Sequence, residues 1–104
     1  MRVALLSDIH ANAIALRAVL ADIGRHGVDE AVCLGDVATL GPQPLEVVEL
    51  LRDFGCACIM GNHDEFLVDP AMVHAHVDQP TVIESIEWCR ERLSRVAPVG
   101  LWKE

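Results

Sequence analysis

The sequence predicts an α/β fold that starts β-α-β-α-β around a parallel sheet and continues into one or two helices. Three observations carry this expectation. Short apolar runs recur at Val3–Ser7, Ala31–Leu34 and Cys56–Met60. Between them lie segments whose apolar residues repeat at helical spacing. Each run ends in a polar or glycine-containing step: Ser7-Asp8, Gly35-Asp36 and Gly61-Asn62. Strands that alternate with helices pair in parallel, because each helix carries the chain back to the same edge of the sheet.

Asn12 stands where its side chain can cap the first helix. Leu16, Val19, Leu20 and Ile23 then mark one helical face, and Gly27 suits a left-handed C-cap. Pro44 fits the first turn of the second helix, where its missing N–H costs nothing. Leu45, Val48, Leu51 and Arg52 mark the turns of that helix, and Gly55 breaks it. Asn62-His63-Asp64 taken alone is a polar turn, and Pro70 to His76 is a helical turn. A last helix is predicted over about 81–97, with Ile86, Cys89, Leu93 and Val96 on one face. Thr81 would cap it, with Glu84 three residues on completing a capping box, and Pro98–Gly100 would end it. The 104 residues are read as a single domain, 1–104.

Apolar residues make up 52% of the chain and charged ones 23%, a mix too hydrophobic for intrinsic disorder. With only Phe54, Phe66, Trp88 and Trp102 as aromatics, the core must be aliphatic. The formal net charge is −8 and no Lys/Arg cluster occurs, which argues against a basic nucleic-acid surface. The ordinary reading of the acidity is a solvated surface; the functional one is that some carboxylates hold cations, whose charge reverses the local field. The opening run is cut by Asp8, so it does not read as a signal peptide, and no window reaches the ~20 apolar residues of a membrane span. Cys33, Cys56, Cys58 and Cys89 read as free thiols in a reducing cytoplasm. Cys56-Ala57-Cys58 lacks the usual spacing of a zinc site, and no second cysteine pair follows it.

The polar residues gather where the strands end, which is where open α/β folds place their sites. Asp8-Ile9-His10, Asp36 and Asn62-His63-Asp64 are thereby expected near one another. Singly, each is an ordinary turn or cap. Together they offer oxygen and nitrogen donors suited to borderline divalent metals such as Mn²⁺, Fe²⁺ or Zn²⁺. Asp36 lies between the other blocks, and a carboxylate has two oxygens with which to bridge two ions about 3.5 Å apart. His74 and His76 point apart if they lie on a helix, and His26 suits a helix C-terminus.

Ser7-Asp8-Ile9-His10, Gly35-Asp36-Val37, Gly41-Pro42 and Gly61-Asn62-His63-Asp64 resemble, in order, the first three signature blocks of the calcineurin-like metallophosphoesterase superfamily. The Asp-Ile-His-Ala-Asn start and the Leu-Gly-Pro segment are most similar to its compact bacterial phosphoesterase branch. The resemblance spans about residues 1–69. It implies one half of that superfamily's β-sandwich and hydrolysis of phosphate mono- or diesters, in small molecules or nucleotides. It also implies two divalent ions, with manganese favoured over iron or zinc. Asp8 and His10 would hold the first metal, Asp36 would bridge both and Asn62 would hold the second. A hydroxide shared by the metals would attack phosphorus in line. His63 would contact the phosphate and assist the leaving group, with Asp64 orienting it.

Two departures qualify the resemblance. The family usually has Gly between the first His and Asn, where this chain has Ala11. Its remaining metal ligands come from Gly-His and Gly-His-x-His segments of a second half, and neither occurs here. The chain therefore reads as an N-terminal half, with association of copies expected to cover the open sheet. The alternative is a non-catalytic metal-binding or protein-interaction remnant of the same fold. A receiver-like or nucleotide-binding domain fits less well. There is no Walker A or Gly-x-Gly-x-x-Gly motif, and the only lysine is Lys103.

Overall fold

Val3–Leu6 forms strand β1, and Ala13–His26 carries the chain back as helix α1. Asn12 caps that helix through Oδ1, which accepts the Ala15 N–H at 3.0 Å, and Gly27 closes it at φ 61°. Strand β2 is Glu30–Cys33, helix α2 is Pro44–Phe54 and strand β3 is Ala57–Ile59. Helices α3 (Asn62–Val68), α4 (Pro70–His76) and α5 (Pro80–Leu93) follow, and strand β4 is Trp102–Lys103. The structure is a computed structural model; it describes residues 1–94 and the backbone of Trp102–Lys103.

The sheet has the order β1-β2-β3-β4, and every pair is parallel. Leu6 stands beside Cys33, and Cys33 beside Cys58. These residues face the helices and are buried against Leu16, Val48 and Leu51. Side chains alternate along a strand, so Val3, Leu5 and Ile59 lie on the opposite face. They are 47%, 67% and 50% exposed. Among the described residues only one side is covered. A smaller cluster of Phe66, Val73 and Ile86 joins α3, α4 and α5.

Four local expectations change. Asn62-His63-Asp64 is the first turn of a helix, so three helices rather than one or two follow β3 among the described residues. Asp64 accepts the Gly61 N–H at 2.8 Å, a helix-starting contact that the short polar motif conceals. The last helix starts at Pro80, with Gln79 as its N-cap; Thr81 lies inside it. Proline's fixed φ and missing N–H suit the first helical position and outweigh the capping-box signal. Val19 is 41% exposed, because the covered stripe of α1 runs through Leu16, Leu20 and Ile23. Finally, β4 adds a strand that two residues cannot signal by periodicity. Val96, the predicted helix end near 97 and the Pro98–Gly100 stop lie outside the described residues. All four cysteines are free thiols, and no described helix is long and apolar enough to cross a membrane.

Candidate metal centre

The loops that leave β1 and β2 are joined by backbone hydrogen bonds. Asp8 N–H donates to Gly35 O at 3.1 Å, His10 N–H to Asp36 O at 3.0 Å, and Ala11 N–H to Val37 O at 2.8 Å. To make this ladder the chain adopts left-handed backbone at Asp8 (φ 56°), His10 (46°), Ala11 (58°) and Asp36 (58°). Such a conformation costs an L-residue roughly 1–2 kcal/mol, least for Asp and His. Strain of this kind persists where surrounding contacts over-determine it, often at functional sites.

The ladder gathers three side chains. Asp8, His10 and Asp36 each offer a ligand atom, and those atoms lie within 4.8 Å of one another. His10 Nε2 is 3.4 Å from Asp8 Oδ1. The Ser7 hydroxyl donates to Asp8 Oδ2 at 2.7 Å and holds the Asp8 carboxyl below the usual carboxylate range. Asp36 Oδ1 accepts the His63 N–H at 3.0 Å. Gly61 is required here by close approach: a Cβ on it would stand 2.5 Å from that same oxygen. Carboxylate oxygens and an imidazole nitrogen are donors that suit a borderline divalent cation, so the residues present fit one.

His63 lies beside this group. Its ring meets His10 edge-on, with centroids 5.2 Å apart, and Phe66 at 5.1 Å. Burial pushes the His63 imidazole below its usual range, against the opposing pull of Asp36. The family resemblance assigned the orientation of His63 to Asp64. The hydrogen bond on the His63 ring is instead to Thr39, whose Oγ1 is 2.9 Å from Nδ1. Asp64 is fully buried and faces the backbone. Its Oδ2 accepts the N–H of Asp36 and of Gly61, both at 2.8 Å, and its Oδ1 accepts that of Val37 at 2.9 Å. Burial raises the Asp64 carboxyl, and the three N–H groups oppose the rise.

Asn62, the first residue of α3, is exposed next to His63. The other histidines stand apart: His74 pairs with Glu87 at 3.6 Å, His76 stacks near Phe66, and His26 meets Asp22 at 3.5 Å. Sequence reasoning missed Thr39. Its one signal was a hydroxyl set among Val37, Ala38 and Leu40, since a hydroxyl buried there must find a partner.

A parallel α/β sheet with D-x-H, G-D and G-N-H-D at successive strand ends defines the metal-dependent phosphoesterase class. Residues 1–100 match the family model described as calcineurin-like phosphoesterase, and the chain belongs to that family. It is 50% identical over 62 residues to an uncharacterised protein of Methanocaldococcus jannaschii, covering 60% of this chain and 26% of that one. It is 33% identical over 67 residues to a symmetrical bis(5'-nucleosyl)-tetraphosphatase of Pectobacterium carotovorum, covering 62% of this chain and 24% of that one. The crystal structure of a metallophosphoesterase from Sphaerobacter thermophilus superposes with a TM-score of 0.66 at 38% identity, over 89% of this chain and 36% of that one. The chain thus spans about a quarter to a third of the length of these proteins.

Two stability predictions follow from the geometry. Ala11→Gly relieves left-handed strain of roughly 1–2 kcal/mol, loses one buried methyl worth about 0.8 kcal/mol and adds unfolded-chain entropy worth about 0.5–1 kcal/mol. Chemical denaturation should find it within about 1 kcal/mol of the wild type. Ala18→Gly, inside α1, should cost about 1 kcal/mol by the same measurement. A loss of about 1.5 kcal/mol or more in Ala11→Gly would show that the left-handed turn carries no strain. Asp64→Asn places an NH₂ against backbone N–H groups and should cost about 2–3 kcal/mol. An unchanged denaturation midpoint would contradict the role of Asp64 as a buried acceptor.

Proposed function

We propose that this chain carries the metal-binding part of a hydrolase acting on phosphate mono- or diesters. The observation that carries the reading is the convergence of Asp8, His10 and Asp36, with His63 donating its backbone N–H to Asp36. In this reading Asp8, His10 and Asp36 would hold a divalent ion, and Asp36 and Asn62 would contribute to a second. Bound ions of this kind supply positive charge that polarises a phosphoryl oxygen and acidifies an attacking water. Manganese is the favoured metal; oxygen- and nitrogen-rich sites also take iron or zinc.

The chain's own residues would do the rest. His63 is half-buried at the edge of the group and would contact the phosphate and pass a proton to the leaving oxygen. Asp64 would act indirectly, by holding the backbone of Asp36, Val37 and Gly61 in place. The tetraphosphatase relative favours a nucleotide among possible phosphate esters. The four free thiols suit a reducing compartment such as the cytoplasm. Residues 1–104 would act as one domain, and the open apolar face of the sheet favours association with further protein, another copy included.

The test is hydrolysis of bis-p-nitrophenyl phosphate with added Mn²⁺, beside Asp36→Asn. We expect turnover that requires the metal and falls by about 10²-fold or more in the variant. A folded chain that neither binds Mn²⁺ nor gives metal-dependent turnover would sink this reading, and Mn²⁺ binding without turnover would favour a binding remnant of the fold.

A further inference from the structure

Among the described residues Thr39 and Asp64 are the buried polar ones, both with no exposed surface. Asp64 is answered by backbone N–H groups. The Thr39 hydroxyl faces two imidazoles: Oγ1 lies 2.9 Å from His63 Nδ1 and 3.4 Å from His10 Nδ1. A hydroxyl has one proton and two acceptor lone pairs, and a neutral imidazole carries its proton on one nitrogen only. Oγ1 could accept from both rings, but its own buried proton would then lack an acceptor among the described residues; every group is paired when one Nδ1 is protonated and donates to Oγ1 while the other is bare and accepts from it. The tautomers of the two rings are therefore linked through this one oxygen.

The direction of the link follows from which nitrogens face outward. Both rings turn Nδ1 toward Thr39, and His10 Nε2 faces Asp8 at 3.4 Å. A His10 that offers a bare Nε2 to a cation carries its proton on Nδ1. We propose that Thr39 is a positioning residue: it accepts from His10 Nδ1–H and donates to His63 Nδ1, so His63 keeps its proton on Nε2. This rests on the reading above, in which His10 is a ligand and His63 meets a phosphate. His63 then presents an N–H, rather than a lone pair, to a negatively charged phosphoryl or leaving oxygen. Without the hydroxyl, nothing on the Thr39 side distinguishes the two His63 tautomers. The Nδ1–H form would turn a lone pair toward the anion.

The test reads the proton position directly. Imidazole ¹⁵N spectra are recorded for the wild type, Thr39→Val and Thr39→Ser, at a pH about two units above the usual imidazole pKa. Each is measured with and without Zn²⁺, a diamagnetic probe ion, and His63 is assigned with His63→Gln. With Zn²⁺ we expect His63 to be mainly the Nε2–H tautomer in the wild type and in Thr39→Ser. In Thr39→Val the Nδ1–H population should rise at least about threefold, as for a ring that has lost its hydrogen-bonded partner. Thr39→Ala removes the same hydroxyl in a smaller side chain, should Thr39→Val not fold. Where turnover is measured, kcat should fall about tenfold with KM little changed, and Thr39→Ser should recover it. A His63 tautomer that is the same with and without the hydroxyl overturns the proposal, as does a wild-type His63 protonated on Nδ1. If the tautomer shifts but no variant hydrolyses phosphate esters, the positioning role stands and the phosphoesterase reading falls.

Discussion

The Asp64 carboxylate is the contact on which the rest of the site depends. Burying a carboxylate is costly, and it is tolerated only when hydrogen-bond donors replace water. Here the donors are three backbone N–H groups, two from the loop after β2 and one from the step after β3. A hydrogen bond to a charged acceptor is roughly twice as strong as a neutral one, so the three together bind two strand ends into one piece. The same contact starts α3 at Gly61 and thereby sets His63 on its first turn. Asp36 is held at φ 58° with its N–H occupied by Asp64 and its Oδ1 occupied by His63 N–H. Asp64 thus acts through backbone, and the side chain hydrogen-bonded to the His63 ring is that of Thr39.

How much of this was legible in the sequence depended on the range of the interactions. The alternation of strands and helices, Gly27, Pro44 and Gly55 are local signals, and each stands where its chemistry requires. Proximity of Asp8, His10 and Asp36 was also legible, because a parallel sheet places successive strand ends side by side. What failed was either too short or too distant. Two residues of β4 carry no periodicity. The start of α3 was hidden because the helix-starting contact of Asp64 also reaches Asp36 and Val37, some 27 residues away. Thr39 was invisible because its partners, His10 and His63, lie 29 and 24 residues off in opposite directions. Physical reasoning about turns places a carboxylate, but does not say which backbone it will bind across the fold.

Ala11 joins local strain to this long-range architecture. The family's usual glycine at this position has a reason in the backbone: the residue takes a left-handed conformation at φ 58°. Alanine occupies it with its methyl fully buried. The tolerance comes from the surroundings. Ala11 N–H donates to Val37 O, and its own carbonyl accepts from Gln43 N–H at 2.9 Å. Gly41 approaches so closely that a Cβ on it would overlap the His10 carbonyl oxygen. The glycine at position 41 makes room for the contacts that hold the alanine at position 11.

The candidate site concentrates unfavourable terms in the cation-free chain. Two carboxylates, Asp8 and Asp36, lie close together on a protein of formal charge −8. The residues that carry the ligand atoms all have left-handed backbone. A divalent ion would reverse the sign of the carboxylate pair interaction, turning mutual repulsion into shared attraction. Because the ladder and Asp64 already fix the backbone, little further ordering is needed on binding. A ligand that binds only the folded state stabilises it in proportion to the logarithm of its concentration over Kd. In the proposed reading the strain at these residues is preorganisation: hydrogen bonds elsewhere in the fold offset its cost, and a bound cation would make the arrangement favourable.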